Sequence, residues 1–112
     1  MKEGDIVLAT LITSEGAGKK RPVLILKILP KYKDLLICGI STQIHQFIDN
    51  FDLMIYENSE DYLSSGLIKT SLVRLGYLSV IPQKFIEGKL GNISQESQHL
   101  LIKRLCNYLL KS

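Results

Sequence analysis

Along the N-terminal part of the chain, apolar residues come in short blocks separated by glycine, proline and charge, and near the C-terminus they recur at helical spacing. Residues 5–13, rich in β-branched side chains and too short for a helix, predict a strand. Residues 14–20, polar and interrupted by Gly16 and Gly18, predict a loop. Pro22 then opens a second strand over residues 22–28, at the first position, where proline is tolerated. Residues 30–34 form a turn. Residues 35–40 are nearly all apolar, as in a strand buried on both faces, and end in the polar Ser41-Thr42-Gln43. Residues 51–56, 67–72 and 76–81 predict further strands, with Gly66 and Gly76 as turn or bulge signals, and residues 85–91 predict a short turn or a single helical turn.

The last element is a helix. Ser94 can cap it and Glu96 suits its first turn; Leu101, Leu105, Tyr108 and Leu109 line one face and Lys103, Arg104, Asn107 and Lys111 the other. Short strands closed by one amphipathic helix predict a mainly β (α+β) protein, a small and strongly bent antiparallel sheet or barrel with a C-terminal α-helix. At 112 residues and 46% hydrophobic content, one domain over residues 1–112 is expected and disorder is not. No apolar run approaches the ~20 residues of a membrane span, and the N-terminus lacks a signal peptide's basic-then-apolar order, so a cytoplasmic protein without a membrane contact is expected. Cys38 and Cys106 sit in apolar segments without a CxxC spacing, which predicts two buried thiols and neither a disulfide framework nor a zinc site.

The formal charge of +3 is a cancellation. Lys2, Lys19, Lys20, Arg21, Lys27, Lys31 and Lys33 outweigh Glu3, Asp5 and Glu15 in the first part of the chain. Asp49, Asp52, Glu57, Glu60 and Asp61 follow one another with no basic residue between them. Either run is an ordinary solvated loop unless other residues give it a partner. The sequence holds no GxGxxG, P-loop, HExxH or GxSxG motif. His99, on the terminal helix, reads as a surface or structural residue, whereas His45, after the polar end of the third strand, is the better candidate for proton transfer. Lys19, Lys20 and Arg21 at the end of a glycine-containing loop place phosphate-directed charge together, with Arg21 able to make two parallel bonds to one phosphate.

These residues also carry a resemblance. Gly4-Asp5-Ile6-Val7, the loop ending in Lys20-Arg21-Pro22-Val23-Leu24-Ile25, Ile40-Ser41-Thr42-Gln43-Ile44, the segment from Gly66 to Arg74 and the tail Leu90-Gly91-Asn92-Ile93-Ser94 resemble, in order, the PemK/MazF-like toxins of bacterial toxin–antitoxin systems. The resemblance spans nearly the whole chain. It implies an SH3-like barrel with a C-terminal helix, usually homodimeric, that cleaves single-stranded RNA without a metal or other cofactor. Arg21 matches the family's catalytic arginine, Ser41 replaces its threonine with the hydroxyl kept, and Thr42 and Gln43 continue the same turn. The arginine and aspartate of the Kid-like branch fall at Lys69 and Ser71, so a positive charge is kept and a carboxylate lost; His45 is then the local substitute for proton transfer.

In such an enzyme the 2′-hydroxyl attacks the adjacent phosphorus, so the site must stabilise phosphoryl charge and assist two proton movements. Arg21 and Ser41 are expected as the catalytic pair, with Lys19, Lys20, Thr42, Gln43, Lys69 and Ser71 binding substrate. Arg74 is expected to pair with an acid near the base of the barrel. The resemblance further implies a cognate antitoxin whose acidic tail covers the RNA site, and operator DNA binding together with that antitoxin. The alternatives are a non-enzymatic homologue that binds a protein, as the gyrase-poisoning relatives do, and a degenerate toxin that only sequesters an antitoxin or regulates.

Overall fold

The computed structural model describes residues 1–12, 16 and 18–111. Six strands, β1 (Asp5–Ile12), β2 (Gly18–Ile28), β3 (Leu35–Ser41), β4 (Leu53–Ile55), β5 (Ser71–Ile81) and β6 (Ile86–Asn92), form one antiparallel sheet in the order β4-β5-β3-β2-β1-β6. Helix α1 (Glu60–Ser65) falls between β4 and β5 in sequence, α2 (Gln95–Leu110) follows β6, and 3-10 turns occupy Ile44–Gln46 and Gln83–Phe85. The result is the half-barrel with a C-terminal helix that the apolar pattern predicts.

Alternation along the central strands supplies two apolar layers. On one face Leu24, Leu26, Cys38, Ile40 and Leu75 are buried against Leu101 and Leu105 of α2. On the other face Val7, Ala9, Leu11, Val23, Ile25 and Ile37 form a second cluster. β3 is buried on both faces, as its near-continuous apolar sequence requires. Ser94 caps α2 by accepting the Ser97 N–H at 3.1 Å. Asp61 of α1 reinforces that end, accepting from the Ser94 N–H at 2.7 Å and from the Ser97 hydroxyl.

The two ends of the sheet approach each other through glycine. Gly66 ends α1 at φ 74°, and a Cβ there would lie 2.0 Å from the Leu90 carbonyl oxygen of β6. Gly91 meets the backbone of Ser64 and Ser65 as closely from the other side. Only residues without a Cβ permit α1 to seat on β6 in this way.

Several expectations are corrected. β2 begins at Gly18, so Lys19, Lys20 and Arg21 belong to a strand and Pro22 lies inside it; Thr13, Ser14, Glu15 and Ala17 of the expected strand end and loop lie outside the described residues. Residues 60–65 form a helix where the sequence suggested only an acidic stretch, and residues 67–70 are not a strand. β5 is one strand carrying an irregularity at Gly76. Residues 86–92 pair with β1 as an edge strand, although the glycines and polar residues there resemble a turn. Cys38 is buried, but Cys106 is exposed on the outer side of α2. Tyr108 and Leu109 extend past the core into solvent, with Tyr108 packed on Phe51 at a ring-centroid distance of 5.2 Å. Arg104 turns inward and donates to the Asp52 carbonyl at 2.8 Å. No helix among the described residues is long and apolar enough to cross a membrane.

Candidate active site

The register of three strands builds the site. Val23 of β2 pairs with Gly39 of β3, and Gly39 pairs in turn with Arg74 of β5, so these residues form one cross-sheet row. Arg21 lies two residues from Val23 and Ser41 two residues from Gly39, and a period of two turns both to the face of that row. The shared face opens beyond Leu11 into a groove of about 350 Å³ whose lining includes Arg21, Ser41, Thr42, Gln43, Arg74 and Tyr77.

Arg21 and Arg74 both face this groove, and among the described residues no hydrogen bond or ion pair is made by either guanidinium. Among the described residues Arg74 therefore does not have the acidic partner expected for it. Among the described residues no Asp or Glu lines the groove. Two guanidiniums without a neutralising carboxylate make a locally positive site suited to an anion with several oxygens, since each can offer paired N–H donors.

Ser41 ends β3 with its hydroxyl oxygen accepting the Gln43 N–H at 3.0 Å. That contact uses a lone pair on the oxygen and leaves the hydroxyl proton available to donate elsewhere. It also holds the turn into the Ile44–Gln46 3-10 segment, together with the bond from the Ile44 N–H to the Thr42 carbonyl at 2.9 Å.

A second groove of about 300 Å³ meets the first at Pro22, Ile40, Ser41 and Thr42 and continues along Gly66, Leu67, Ile68, Lys69, Ser71 and Leu90. Lys69 and Ser71 belong there and do not line the arginine groove. Ser71 is buried and its hydroxyl donates to the Lys69 carbonyl at 2.9 Å, which occupies the group expected to meet substrate.

The cationic run of β2 is split by strand alternation. Lys20 faces away from Arg21 and pairs with Glu87 of β6 at 3.8 Å, near Thr10, whose hydroxyl donates to the same carboxylate at 2.9 Å. Lys19 is exposed and lines neither groove. His45 is exposed on the 3-10 turn two residues past Gln43, beside the site but outside the lining of both grooves. Among the described residues no three His, Cys, Asp or Glu side chains gather closely enough to hold a metal ion.

Arg74, to which the sequence assigns an acidic partner instead, and Tyr77 join the groove's polar lining without having been expected there. Arg74 interrupts the apolar run Leu72-Val73-Leu75, and a charge at an inward position of a strand is a signal of a salt bridge or a site. Tyr77 carries no such signal, because its placement depends on the irregularity of β5.

Known proteins resemble this chain in sequence family and in fold. The family model described as "PemK-like, MazF-like toxin of type II toxin-antitoxin system" matches residues 2–109. No curated protein sequence matches the chain. Among solved structures, the Mycobacterium tuberculosis toxin MazF-mt6 superposes with a TM-score of 0.70 at 20% identity, over 96% of this chain and 99% of that one. At that identity the likeness speaks for the fold.

Proposed function

The chain belongs to the PemK-like, MazF-like toxins of type II toxin–antitoxin systems, and from that premise we propose that it is an endoribonuclease that cleaves single-stranded RNA and so inhibits growth. The observation that carries this reading is the pair of guanidiniums, Arg21 and Arg74, without a partner among the described residues and facing one groove beside the Ser41 hydroxyl. A phosphodiester seated there would have its two nonbridging oxygens met by arginine. The Ser41 proton would donate to one of them as charge grows at phosphorus.

Attack by the neighbouring 2′-hydroxyl forms the new P–O bond, expels the 5′-oxygen and leaves a 2′,3′-cyclic phosphate and a 5′-hydroxyl. The 2′-hydroxyl proton needs an acceptor and the departing 5′-oxygen a donor, and among the described residues no carboxylate or imidazole lines the groove. His45, on the adjoining turn, is the residue we assign to proton transfer, acting directly or through one water: it takes the 2′-hydroxyl proton and delivers a proton to the departing 5′-oxygen. Thr42 and Gln43 bind substrate at the groove edge, and Lys69 draws the strand along the second groove. Lys19 and Lys20 add a general positive field and no contact at phosphorus. No metal or cofactor takes part in this scheme, and cleavage is expected to persist in EDTA.

The partners follow from the same site. A cognate antitoxin would lay an acidic tail over the arginines, and the toxin–antitoxin complex would bind operator DNA. A homodimer is supported by apolar side chains at the surface, Leu78 and Val80 on β5 and Leu110 on α2, the last 84% exposed. We place the protein, as one domain, in the cytoplasm. Sedimentation at several concentrations tests the dimer, and a monomer throughout would contradict it.

The deciding experiment incubates the purified protein with random-sequence single-stranded RNA in EDTA and maps cleavage by primer extension. Cyclic-phosphate ends that disappear in Arg21→Ala are expected, and intact RNA would overturn the reading. That the described lining of the groove holds no base favours one second reading, a toxin that binds without cutting. It predicts growth inhibition that survives both Arg21→Ala and Ser41→Ala.

A further inference from the structure

We propose that Tyr77, seated on Gly39, is a stacking platform for a nucleobase next to the phosphate site. The inference rests on the RNA reading of the arginine groove and adds a base-binding subsite to it.

The placement of Tyr77 comes from a break in the sheet. Gly39 pairs with Arg74, whereas the preceding Cys38 pairs with Leu78, so Leu75, Gly76 and Tyr77 are extra residues on β5 with no partners on β3. The bulge is braced, because the Leu75 N–H donates at 3.0 Å to the carboxylate of Asp52, a side chain only 2% exposed. It returns Tyr77 to the same face as Arg74. There the absence of a side chain on Gly39 creates the seat: a Cβ at that position would lie 3.0 Å from Tyr77 Cδ1 and 3.3 Å from Cγ.

The ring is thus supported from beneath by backbone yet remains 47% exposed, and it lines the groove with Arg21 and Arg74. No hydrogen bond to its hydroxyl occurs among the described residues. An aromatic face beside unpaired cations is the combination that holds single-stranded nucleic acid, with charge taking the backbone and the ring taking a base of any identity. A protein partner would be recognised instead by the tyrosine hydroxyl or by side-chain packing, and these alternatives separate experimentally.

The test uses random-sequence 2′-fluoro RNA, which lacks the attacking hydroxyl, with 5-iodouracil in place of uracil. Long-wavelength irradiation of its complex with the full-length protein is expected to crosslink the RNA to Tyr77, located by mass spectrometry of the digested adduct. Tyr77→Ala should weaken binding of the pool by about tenfold, within the range of base–aromatic stacking, and Tyr77→Phe should retain wild-type affinity. Gly39→Ala, checked for folding by thermal melting, should push the ring off its seat and weaken binding as Tyr77→Ala does. Added to Tyr77→Ala it should have little further effect.

Wild-type affinity in Tyr77→Ala, equal losses in Tyr77→Phe and Tyr77→Ala, or failure of the wild-type protein to bind the pool would each overturn the proposal. The two readings fail separately. A protein that crosslinks through Tyr77 but never cuts natural RNA retains the subsite and loses the nuclease. One that cuts RNA while Tyr77→Ala binds normally retains the nuclease and loses the subsite.

Discussion

The buried carboxylate of Asp52 holds Leu75 of β5, accepting its backbone N–H at 3.0 Å through one oxygen while the other oxygen accepts the Ile48 N–H at the same distance. A side chain thereby replaces the strand partner that β5 lacks at its bulge. The loop that supplies Asp52 is itself held by Arg104 of α2, which donates to the Asp52 carbonyl. The terminal helix therefore reaches the arginine groove by a short chain of contacts, from Arg104 to Asp52 to Leu75, whose chain neighbour is Arg74.

Asp52→Ala is expected to be among the more destabilising polar substitutions in the protein. It leaves the N–H groups of Leu75 and Ile48 without their acceptor, at about 1–3 kcal/mol each. Asp52→Asn keeps one oxygen and should lose roughly half as much. Urea unfolding midpoints at constant slope measure both, and a loss below about 1 kcal/mol in the alanine variant would mean that the bulge finds other support.

Arg21→Ala and Arg74→Ala should each reduce RNA cleavage by about a hundredfold or more, as removal of a single charge-stabilising donor does in other active sites. Lys20→Ala should change it by no more than a few-fold, because Lys20 faces away from the groove and pairs with Glu87. Initial rates with one labelled RNA at fixed ionic strength compare the three. Full activity in Arg74→Ala would remove that residue from the site.

Ser41 can be tested through its hydroxyl alone. Ser41→Thr keeps the acceptor for the Gln43 N–H and the proton directed at phosphate, and should retain activity within a few-fold. Ser41→Ala removes both and should lower the rate by about ten- to a hundredfold. Equal rates for the two variants would show that the turn, and not the hydroxyl, is what matters.

The two thiols should differ sharply in reactivity. Burial pushes the Cys38 thiol up from its ordinary value, and the negative charge of Asp52 pushes in the same direction, so the thiolate is suppressed at neutral and mildly alkaline pH. Cys106 is exposed. Iodoacetamide at pH 8 should therefore add one carbamidomethyl group to the native protein, on Cys106, and two after unfolding; intact-mass measurement counts them.

Substitutions at the seam should act on stability before chemistry. Gly66→Ala forces a Cβ into the Leu90 carbonyl and a left-handed residue away from glycine, and Asp61→Ala removes two bonds at the start of α2. Each should lower the melting temperature by several degrees, the change expected of about 1–3 kcal/mol in a domain of this size. RNA cleavage well below the transition should persist. Loss of cleavage in a folded Asp61→Ala protein would place α1 closer to the chemistry than its geometry does.

What was legible in the sequence depended on whether the determining contacts were local. β1, β3 and α2 were recognisable because runs of Ile, Leu and Val or a capped helical period identify an element without reference to its neighbours. α1 and β6 were not, since a short helix with exposed Leu63 and a glycine-containing edge strand take their stability from each other, through Gly66 and Gly91. Arg21 and Ser41 were found by resemblance, and the structure places them on one groove. Arg74 and Tyr77 join them through the register of β3 with β5 and a bulge braced from β4's loop, and no local pattern encodes a register. The reverse error at Lys20 has the same origin: adjacency in sequence suggested a cluster, and alternation along a strand sent neighbours to opposite faces.

Pro22 is more than a tolerated residue within β2. Gly4 donates to the Ile25 carbonyl from the β1 side, so alternation turns the backbone polar groups of Leu24 and Pro22 toward β3. At Pro22 there is no N–H to offer, and the pairing of β2 with β3 stops at Val23 and Gly39. Continued by two residues, the same ladder would pair the backbone of Arg21 with that of Ser41. A missing hydrogen atom on an imino acid thus ends the ladder two rows before Arg21 and Ser41 and leaves the mouth of the sheet unzipped beneath the groove they line.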